Sequence, residues 1–120
     1  MNSYRDLIVW QKSIDLVTLV YKMTSSFPKE EKYSLTSQLK RSAISVPSNI
    51  AEGYGRKYTK EYSRFLQIAR GSLYELQTQL EISKNVGFVN SIELKPIESL
   101  CLEIEKMLNS LISKINSSVK

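Results

Sequence analysis

Residues 45–56 read SVPSNIAEGYGR, and they decide how the middle of the chain folds. The stretch lies within apolar residues at helical spacing, yet it contains a proline, an asparagine, a glutamate and two glycines. A proline inside a helix removes one hydrogen bond and collides with the carbonyl four residues earlier, here that of Ala43, which costs about 3 kcal/mol unless the helix bends. Because the apolar spacing continues on both sides of Pro47, we predict a helix over residues 35–54 that is kinked at Pro47 and ends at the glycines.

Three further stretches carry apolar residues at alternating steps of three and four, the spacing of one helical face. The four stripes are Leu7, Trp10, Ile14, Val17 and Tyr21; Leu35, Leu39, Ala43, Val46, Ile50 and Gly53; Tyr62, Leu66, Ala69, Leu73, Leu76, Leu80 and Ser83; and Ile97, Cys101, Ile104, Leu108, Leu111 and Ile115. The first helix is expected over residues 6–25, with Asp6 as its N-cap. The third runs from its cap Thr59 to about Gly87, and the fourth follows Ser91.

No segment alternates with period two over the length of a strand, so the stripes predict an all-α protein. Pro96 either starts the fourth helix or bends its first turn. Four amphipathic helices with short connections pack best as an up-down-up-down antiparallel four-helix bundle, with helices crossing at about 20°. We expect residues 1–120 to form a single bundle domain, because a chain of this length buries about two-thirds of its unfolded surface.

The composition narrows the class of protein further. The chain has one cysteine, Cys101, and no histidine, so an intrachain disulfide is impossible and Cys101 is expected to be a small buried apolar residue. No segment approaches the roughly 20 apolar residues of a membrane span, and the N-terminus lacks the pattern of a signal peptide. We therefore expect a cytoplasmic protein without a membrane partner, a metal or a cofactor.

The net charge of +5 belongs to the middle of the chain. Residues 38–70 contain seven basic and two acidic residues, whereas the rest has ten of each sign. The seven are Lys40, Arg41, Arg56, Lys57, Lys60, Arg64 and Arg70. Because the second and third helices are antiparallel neighbours, we expect these cations to gather toward one end of the bundle.

Three tyrosines, Tyr54, Tyr58 and Tyr62, lie among these cations. A basic surface with interleaved aromatic rings attracts phosphates and offers faces on which bases stack. Alternatively, cations on exposed helical faces only keep a protein solvated and bind no partner. The sequence leaves both interpretations open: a surface for nucleic acid or an acidic protein, or a solvated face.

A polar stripe lies beside the apolar one on each of the two middle helices, and we call the two together the polar seam. Its residues are Gln38, Arg41, Ser45, Asn49 and Glu52, continued by Arg56, on the second helix, and Ser72, Glu75 and Gln79 on the third. Half-buried polar side chains seek partners, so Arg41 is predicted to pair with Glu75, or with Glu52 through Asn49. The seam either fixes the register of the helices or faces an identical subunit.

Glu52 and Glu75 are also the candidates for an acid and base pair. No histidine, metal-ligand cluster, phosphate-binding loop after a strand or nucleophile motif accompanies them. We therefore expect no catalytic residue and no enzyme activity.

Three segments resemble one protein family. They are DLIVWQKSIDLV followed by FP, LTSQLKRSAISVPSNIAEGYGR, and EYSRFLQIARGSLYELQTQL. Together they are similar to the four-helix-bundle proteins encoded by intervening sequences of bacterial 23S ribosomal RNA genes, also labelled S23 ribosomal proteins. The resemblance is carried by residues 4–83, and the last helix matches only in its pattern.

The resemblance implies a helical bundle that assembles into a pentameric ring. It also implies kinship with accessory proteins of diversity-generating retroelements, which bind a reverse transcriptase and nucleic acid through a basic surface. The basic positions that match are Lys40, Arg41, Arg56, Lys57, Arg64 and Arg70. The family's ribosomal label does not imply membership of the ribosome.

Apolar residues outside the four stripes also favour an oligomer, because a lone bundle of this size leaves some of them exposed. They include Val9, Leu16, Val20 and Met23 on the first helix, Ile44 on the second, Phe65 and Ile68 on the third, and Leu100 and Met107 on the fourth. The leading hypothesis is a non-catalytic homo-oligomer that contacts RNA, DNA or a nucleic-acid enzyme through its basic end. The alternative is an assembly or adaptor protein with a purely protein partner.

Overall fold

The computed structural model describes residues 3–118, and it contains four long helices. They are α1, Ile8–Thr24; α2, Leu35–Tyr54; α3, Thr59–Asn85; and α4, Ser91–Ser117, with short 3-10 turns at Tyr4–Asp6 and Lys29–Glu31. Each helix packs against its two neighbours in a closed square: α1 on α2 and α4, and α3 on α2 and α4. This confirms the all-α antiparallel four-helix bundle. Within the described residues there is no strand, and no helix has the length and apolar content to cross a bilayer.

The bundle has two ends, which we name by their connections. The turn pole carries the α2–α3 turn, residues 55–58, beside the start of α1 and the end of α4. The far pole carries the connections at residues 25–34 and 86–90, where the rings of Phe27 and Phe88 pack with centroids 5.5 Å apart. Short connections at alternating ends fix the antiparallel order of the helices.

Asp6 is not the N-cap of α1, so that prediction is wrong. Asp6 closes the 3-10 turn that Ser3 caps through its side chain, and α1 starts after Leu7, which has extended backbone angles. The side chain of Leu7 is buried in the core. Burying this leucine requires the chain to turn before the helix starts, which moves the first helical residue to Ile8.

The face of α1 that enters the core also differs from the predicted stripe. The buried residues of α1 are Val9, Ser13, Leu16, Val20 and Thr24. Ile14 and Tyr21 from the predicted stripe are instead exposed. Ser13 and Thr24 can be buried because their hydroxyls donate to the carbonyls of Val9 and Val20, at 2.7 and 2.9 Å. A helix whose serine and threonine hydroxyls bond to its own carbonyls can bury these residues in a core. A search for stripes of apolar residues alone does not find such positions.

The other three stripes lie where they were predicted, with small departures. In α2 and α3 all predicted stripe residues are buried except Leu35 and Tyr62, which are half-buried. In α4 the core also receives Ile112, whereas Leu111 is half-buried. Fully buried leucine and isoleucine side chains from neighbouring helices thus form one continuous core.

The helix starts show where capping differs from the predictions. Tyr58, not Thr59, is the N-cap residue of α3, and its side chain forms no capping hydrogen bond. α4 starts with a capping box, in which the Glu93 amide donates to Asn90 Oδ1 at 2.8 Å and the Asn90 amide donates to Glu93 Oε1 at 3.3 Å. Because α4 starts at Ser91, the alternative that Pro96 starts it is wrong.

α2 is a continuous helix that includes Pro47, whose side chain is buried. The side-chain amide of Asn49 donates to the carbonyl and the hydroxyl of Ser45, at 2.8 and 2.9 Å. These bonds hold the polar side of the helix together next to the proline. A kink at Pro47 stays a prediction.

α2 and α3 lie very close to each other at Gly53. A Cβ at this position would lie 2.6 Å from Phe65 Cβ and 3.2 Å from the carbonyl oxygen of Tyr62. Neither atom is the free end of a flexible side chain, so a methyl group would force the helices apart. Gly53 is buried, and the packing of α3 against α2 therefore requires a glycine at this position.

We expect Gly53→Ala to lower the free energy of unfolding by about 1–2 kcal/mol, because the clash exceeds the gain in helix propensity. Gly71→Ala is the matched control, since a Cβ there would meet nothing within 4 Å. The control should stabilise the protein by about 0.5–1 kcal/mol. Urea unfolding followed by circular dichroism measures both, and equal effects of the same sign would contradict the close contact.

Candidate nucleic-acid interface

Four exposed cations crowd the turn pole, and we call them the basic turn: Arg56, Lys57, Lys60 and Arg64. Arg56 and Lys57 lie in the connection between α2 and α3, and the other two lie in the first turns of α3. The turn is short because Gly53 lets α3 start directly against the end of α2. Their clustering follows from local chain geometry rather than from distant contacts.

Two arginines of the basic turn share one aromatic ring. The guanidinium carbon of Arg56 lies 4.8 Å from the centroid of Phe65, and that of Arg64 lies 5.7 Å from the same centroid. A ring that holds guanidinium groups by cation–π attraction limits their motion while their N–H edges stay available for phosphate. Arg56 also pairs with Glu52 at 3.2 Å, which offsets part of its charge.

The other three predicted binding residues lie elsewhere on the bundle. The ammonium of Lys40 lies 4.5 Å from the centroid of Tyr21 on the α1–α2 side. Arg70 donates to Asn109 Oδ1 at 2.8 Å on the α3–α4 side. Arg41 is exposed on α2, fifteen residues before Arg56, which corresponds to about 22 Å along a helix. The seven cations therefore form one cluster of four and three separate sites.

Two further cations at the turn pole were missed by the sequence reasoning. Arg5 lies before α1, with its guanidinium 5.3 Å from the ring of Tyr4 and 5.8 Å from that of Trp10. Lys114 lies in the last turns of α4 and borders a groove with Leu7. A count of charges along the chain does not show that α1 starts and α4 ends at the pole of the α2–α3 turn. The predicted antiparallel topology does place both helix ends there.

The three tyrosines near the basic turn have different environments. The rings of Tyr54 and Tyr62 pack edge to face, with centroids 5.9 Å apart, and both are half-buried. Burial, and then the neighbouring Tyr54, raise the pKa of Tyr62. Tyr58 is 60% exposed, so its ring is the most accessible of the three.

The polar seam joins α2 to α3 through small uncharged side chains. Ser45 and Ser72 share a hydrogen bond of 2.8 Å between their hydroxyls. The buried amide oxygen of Gln79 accepts from Ser42 at 2.7 Å. Ser42 was not among the predicted seam residues, because the predicted stripe stepped from Gln38 to its neighbour Arg41 instead.

The predicted charged pairings of the seam are wrong. In the described part of the chain, Arg41 forms no ion pair with Glu75 or Glu52, and Glu52 pairs with Arg56 instead. Arg41, Glu52 and Glu75 are exposed, so water solvates them and burial does not force them together. Gln38 is also exposed, whereas Asn49 is half-buried against Ser45.

The model for the 23S rRNA-intervening sequence protein family matches residues 5–110. The chain belongs to this family. The matched residues include the basic turn, the seam and most of α4, and they end before Lys114.

A crystal structure from the same family shares the fold. It is a protein of unknown function from the S23 ribosomal protein family of Bacteroides thetaiotaomicron VPI-5482, solved at 1.70 Å. The two chains are 23% identical with a TM-score of 0.79, over 88% of this chain and 98% of the other. No curated protein matches the chain.

Glu52, Glu75 and Cys101 are the side chains whose surroundings bear on possible chemistry. Glu52 and Glu75 are exposed, and across residues 3–118 no group of three or more histidine, cysteine, aspartate or glutamate residues is placed to hold a metal ion. Cys101 is buried, and burial, with nearby Glu98 and Glu105, raises its pKa to about 12. Its thiol stays protonated at neutral pH and behaves as a core residue. That the chain is not an enzyme stays a prediction.

The buried bond between Ser42 and Gln79 predicts a distinct pattern of stability changes. Ser42→Ala leaves the Gln79 amide without its partner and should destabilise the protein by about 1–3 kcal/mol. Adding Gln79→Leu should recover much of that loss, since no buried polar group is then left unpaired. Urea unfolding of the two single variants and the double variant measures the coupling free energy between the two residues. Strictly additive changes in the free energy of unfolding would contradict the bond between Ser42 and Gln79.

Proposed function

We propose that this chain is a non-catalytic, homo-oligomeric helical bundle that binds RNA or DNA through the basic turn. The observation that carries the proposal is the basic turn itself, in which two of four exposed cations are held against the ring of Phe65. The chain has a net charge of +5, so its field favours polyanions as well. Exposed arginine and lysine side chains bind phosphate without reading base sequence.

The number of cations sets the expected dependence on salt. Each phosphate contact releases counterions, so the slope of log affinity against log salt is about −0.9 per contact on duplex DNA and about −0.7 on a single strand. Four contacts from the basic turn give a slope of about −3 to −4 for one chain. Arg5 and Lys114 at the same pole would steepen it.

The homo-oligomer is supported by the outward face of α1 and α2. Ile14 and Ile44 are 39% and 40% exposed, and they border a groove with Trp10, Val17 and the buried Pro47. This face is the apolar stripe of α1 that was expected in the core. A second copy of the chain is the proposed occupant, and five copies is the number that the family resemblance implies. Several basic turns on one ring would bind a polyanion with higher avidity than one.

A nucleic-acid enzyme is the proposed protein partner of the basic turn. The kinship with retroelement accessory proteins that the family resemblance implies points to a reverse transcriptase in this role. The alternative function is an assembly or adaptor protein with a purely protein partner, in which the chain binds no nucleic acid and the apolar face of α1 and α2 makes only protein contacts. In that function the basic turn only keeps the protein soluble.

Reversing the charge of the basic turn separates the two functions. We expect Arg56→Glu with Lys57→Glu and Lys60→Glu to weaken binding of an RNA oligonucleotide at least about 100-fold and to reduce the salt slope by about 2–3. The control is Lys29→Glu with Lys32→Glu and Lys95→Glu, which changes the net charge equally at exposed lysines away from the basic turn.

Fluorescence anisotropy between 50 and 200 mM salt measures both triple variants. The control should stay within a few-fold of the wild type. Equal losses in both variants would show that only net charge matters. Unchanged binding in the first variant, or no binding by the wild type, would favour the adaptor.

The oligomer is tested by light scattering at micromolar concentration. The wild type should give a mass near five times the 13.8 kDa of one chain. Ile14→Glu with Ile44→Glu should give a monomer, because charges placed in the apolar face oppose its burial. Ile92→Glu is the control, since Ile92 is 85% exposed and outside this face. A wild-type monomer would contradict the ring.

A further inference from the structure

A cleft of about 910 Å³ opens beside the basic turn, between the start of α3 and the end of α4. Pockets that hold small ligands have volumes of about 300–1,000 Å³. Tyr58, Lys60 and Arg64 border the cleft from α3 and the residue before it, and Asn116 borders it from α4. Two of the four residues of the basic turn, Lys60 and Arg64, therefore also border this cleft.

The polar side of the cleft keeps hydrogen-bonding capacity for a ligand. Ser63 donates its hydroxyl to Asn116 Oδ1 at 2.6 Å, and Gln67 donates its side-chain amide to the Ser63 hydroxyl at 3.2 Å. These bonds use the oxygen of Asn116 and the nitrogen of Gln67. The amide nitrogen of Asn116 and the amide oxygen of Gln67 remain as a donor and an acceptor, the pair of functions that the edge of a base recognises.

The aromatic side of the cleft is Tyr58. Tyr54 and Tyr62 use their rings to pack against each other, but Tyr58 is 60% exposed. Lys57 lies 5.6 Å from the centroid of the Tyr58 ring. An exposed ring beside a cation binds a base on its face while the cation approaches the adjoining phosphate.

The charge at the cleft favours a phosphate despite one carboxylate. Lys60 and Arg64 lie one helical turn apart on α3, and Glu61 also borders the cleft. Two cations thus border the cleft against one carboxylate, and Lys57 beside the Tyr58 ring adds a third cation nearby. The N-cap residue Tyr58 makes no side-chain hydrogen bond to the first amides of α3, and the dipole of this helix adds positive potential at this end.

We propose that this cleft binds an unpaired base of a single-stranded nucleic acid, stacked on Tyr58, with its phosphate between Lys60 and Arg64. The inference rests on the proposed function and makes it specific for single strands. A base in a duplex already has both faces stacked, so it cannot place a face on Tyr58 or an edge in the cleft. A duplex is left with only the phosphate contacts of the basic turn.

The test compares a fluorescein-labelled oligothymidylate as a single strand and annealed to oligodeoxyadenylate, at one salt concentration. Tyr58→Ala should weaken single-strand binding by about 5- to 150-fold, the loss typical of one stacked base. Binding of the duplex should change less than about two-fold. Tyr58→Phe should bind the single strand like the wild type, because it keeps the ring.

Tyr33→Ala is the matched control. Tyr33 is 85% exposed, lies at the far pole and has Lys32 5.3 Å from its ring, so it reproduces the lysine–tyrosine pair without the cleft. This control should leave both affinities unchanged.

The outcomes separate the inference from the proposed function. Unchanged single-strand binding in Tyr58→Ala, or equal losses for single strand and duplex, would overturn the cleft site. If the charge-reversed basic turn nevertheless loses binding, the proposed function stands without it. A wild type that binds neither probe would overturn both.

Discussion

The first turns of α3 lie so close to the end of α2 that there is no space for a methyl group at Gly53. The nearest atoms belong to Phe65 and Tyr62, and each of these residues also orders part of the surface. Phe65 holds the two arginines of the basic turn, and Tyr62 packs against Tyr54. The contact that closes the bundle at this pole therefore also positions the charged groups exposed there.

Further along the same pair of helices, small polar side chains replace large apolar ones. The hydroxyls of Ser45 and Ser72 bond to each other, and Ser42 bonds to Gln79, so these side chains have polar partners across the two helices. Among the described residues that are not exposed, no buried side-chain nitrogen or oxygen lacks a partner. Polar groups that can bond in only one alignment fix the register of two helices more strictly than leucines do.

The fold could be predicted from the sequence wherever one helical face is clearly more apolar than the others. This holds for α2, α3 and α4, whose stripes entered the core almost as predicted. It failed for α1, where the buried face of Val9 and Leu16 also contains Ser13 and Thr24. Bonds from these two hydroxyls to carbonyls of the same helix allow their burial, and the sequence does not show such bonds. The site was predicted where it is local, in the basic turn. Arg5, Lys114 and Asn116 were missed because they reach the same pole only through the antiparallel topology, which a count of charges along the chain does not use.

We expect the α2–α3 contact to be the most stable part of the molecule and to support the start of α3. Native-state amide hydrogen exchange, resolved by residue, measures this local stability. The amides of residues 62–80 and of the facing turns of α2 should exchange slowest and open together in the global unfolding event. Exchange of residues 62–66 at the rate of a frayed helix end, independent of α2, would contradict it.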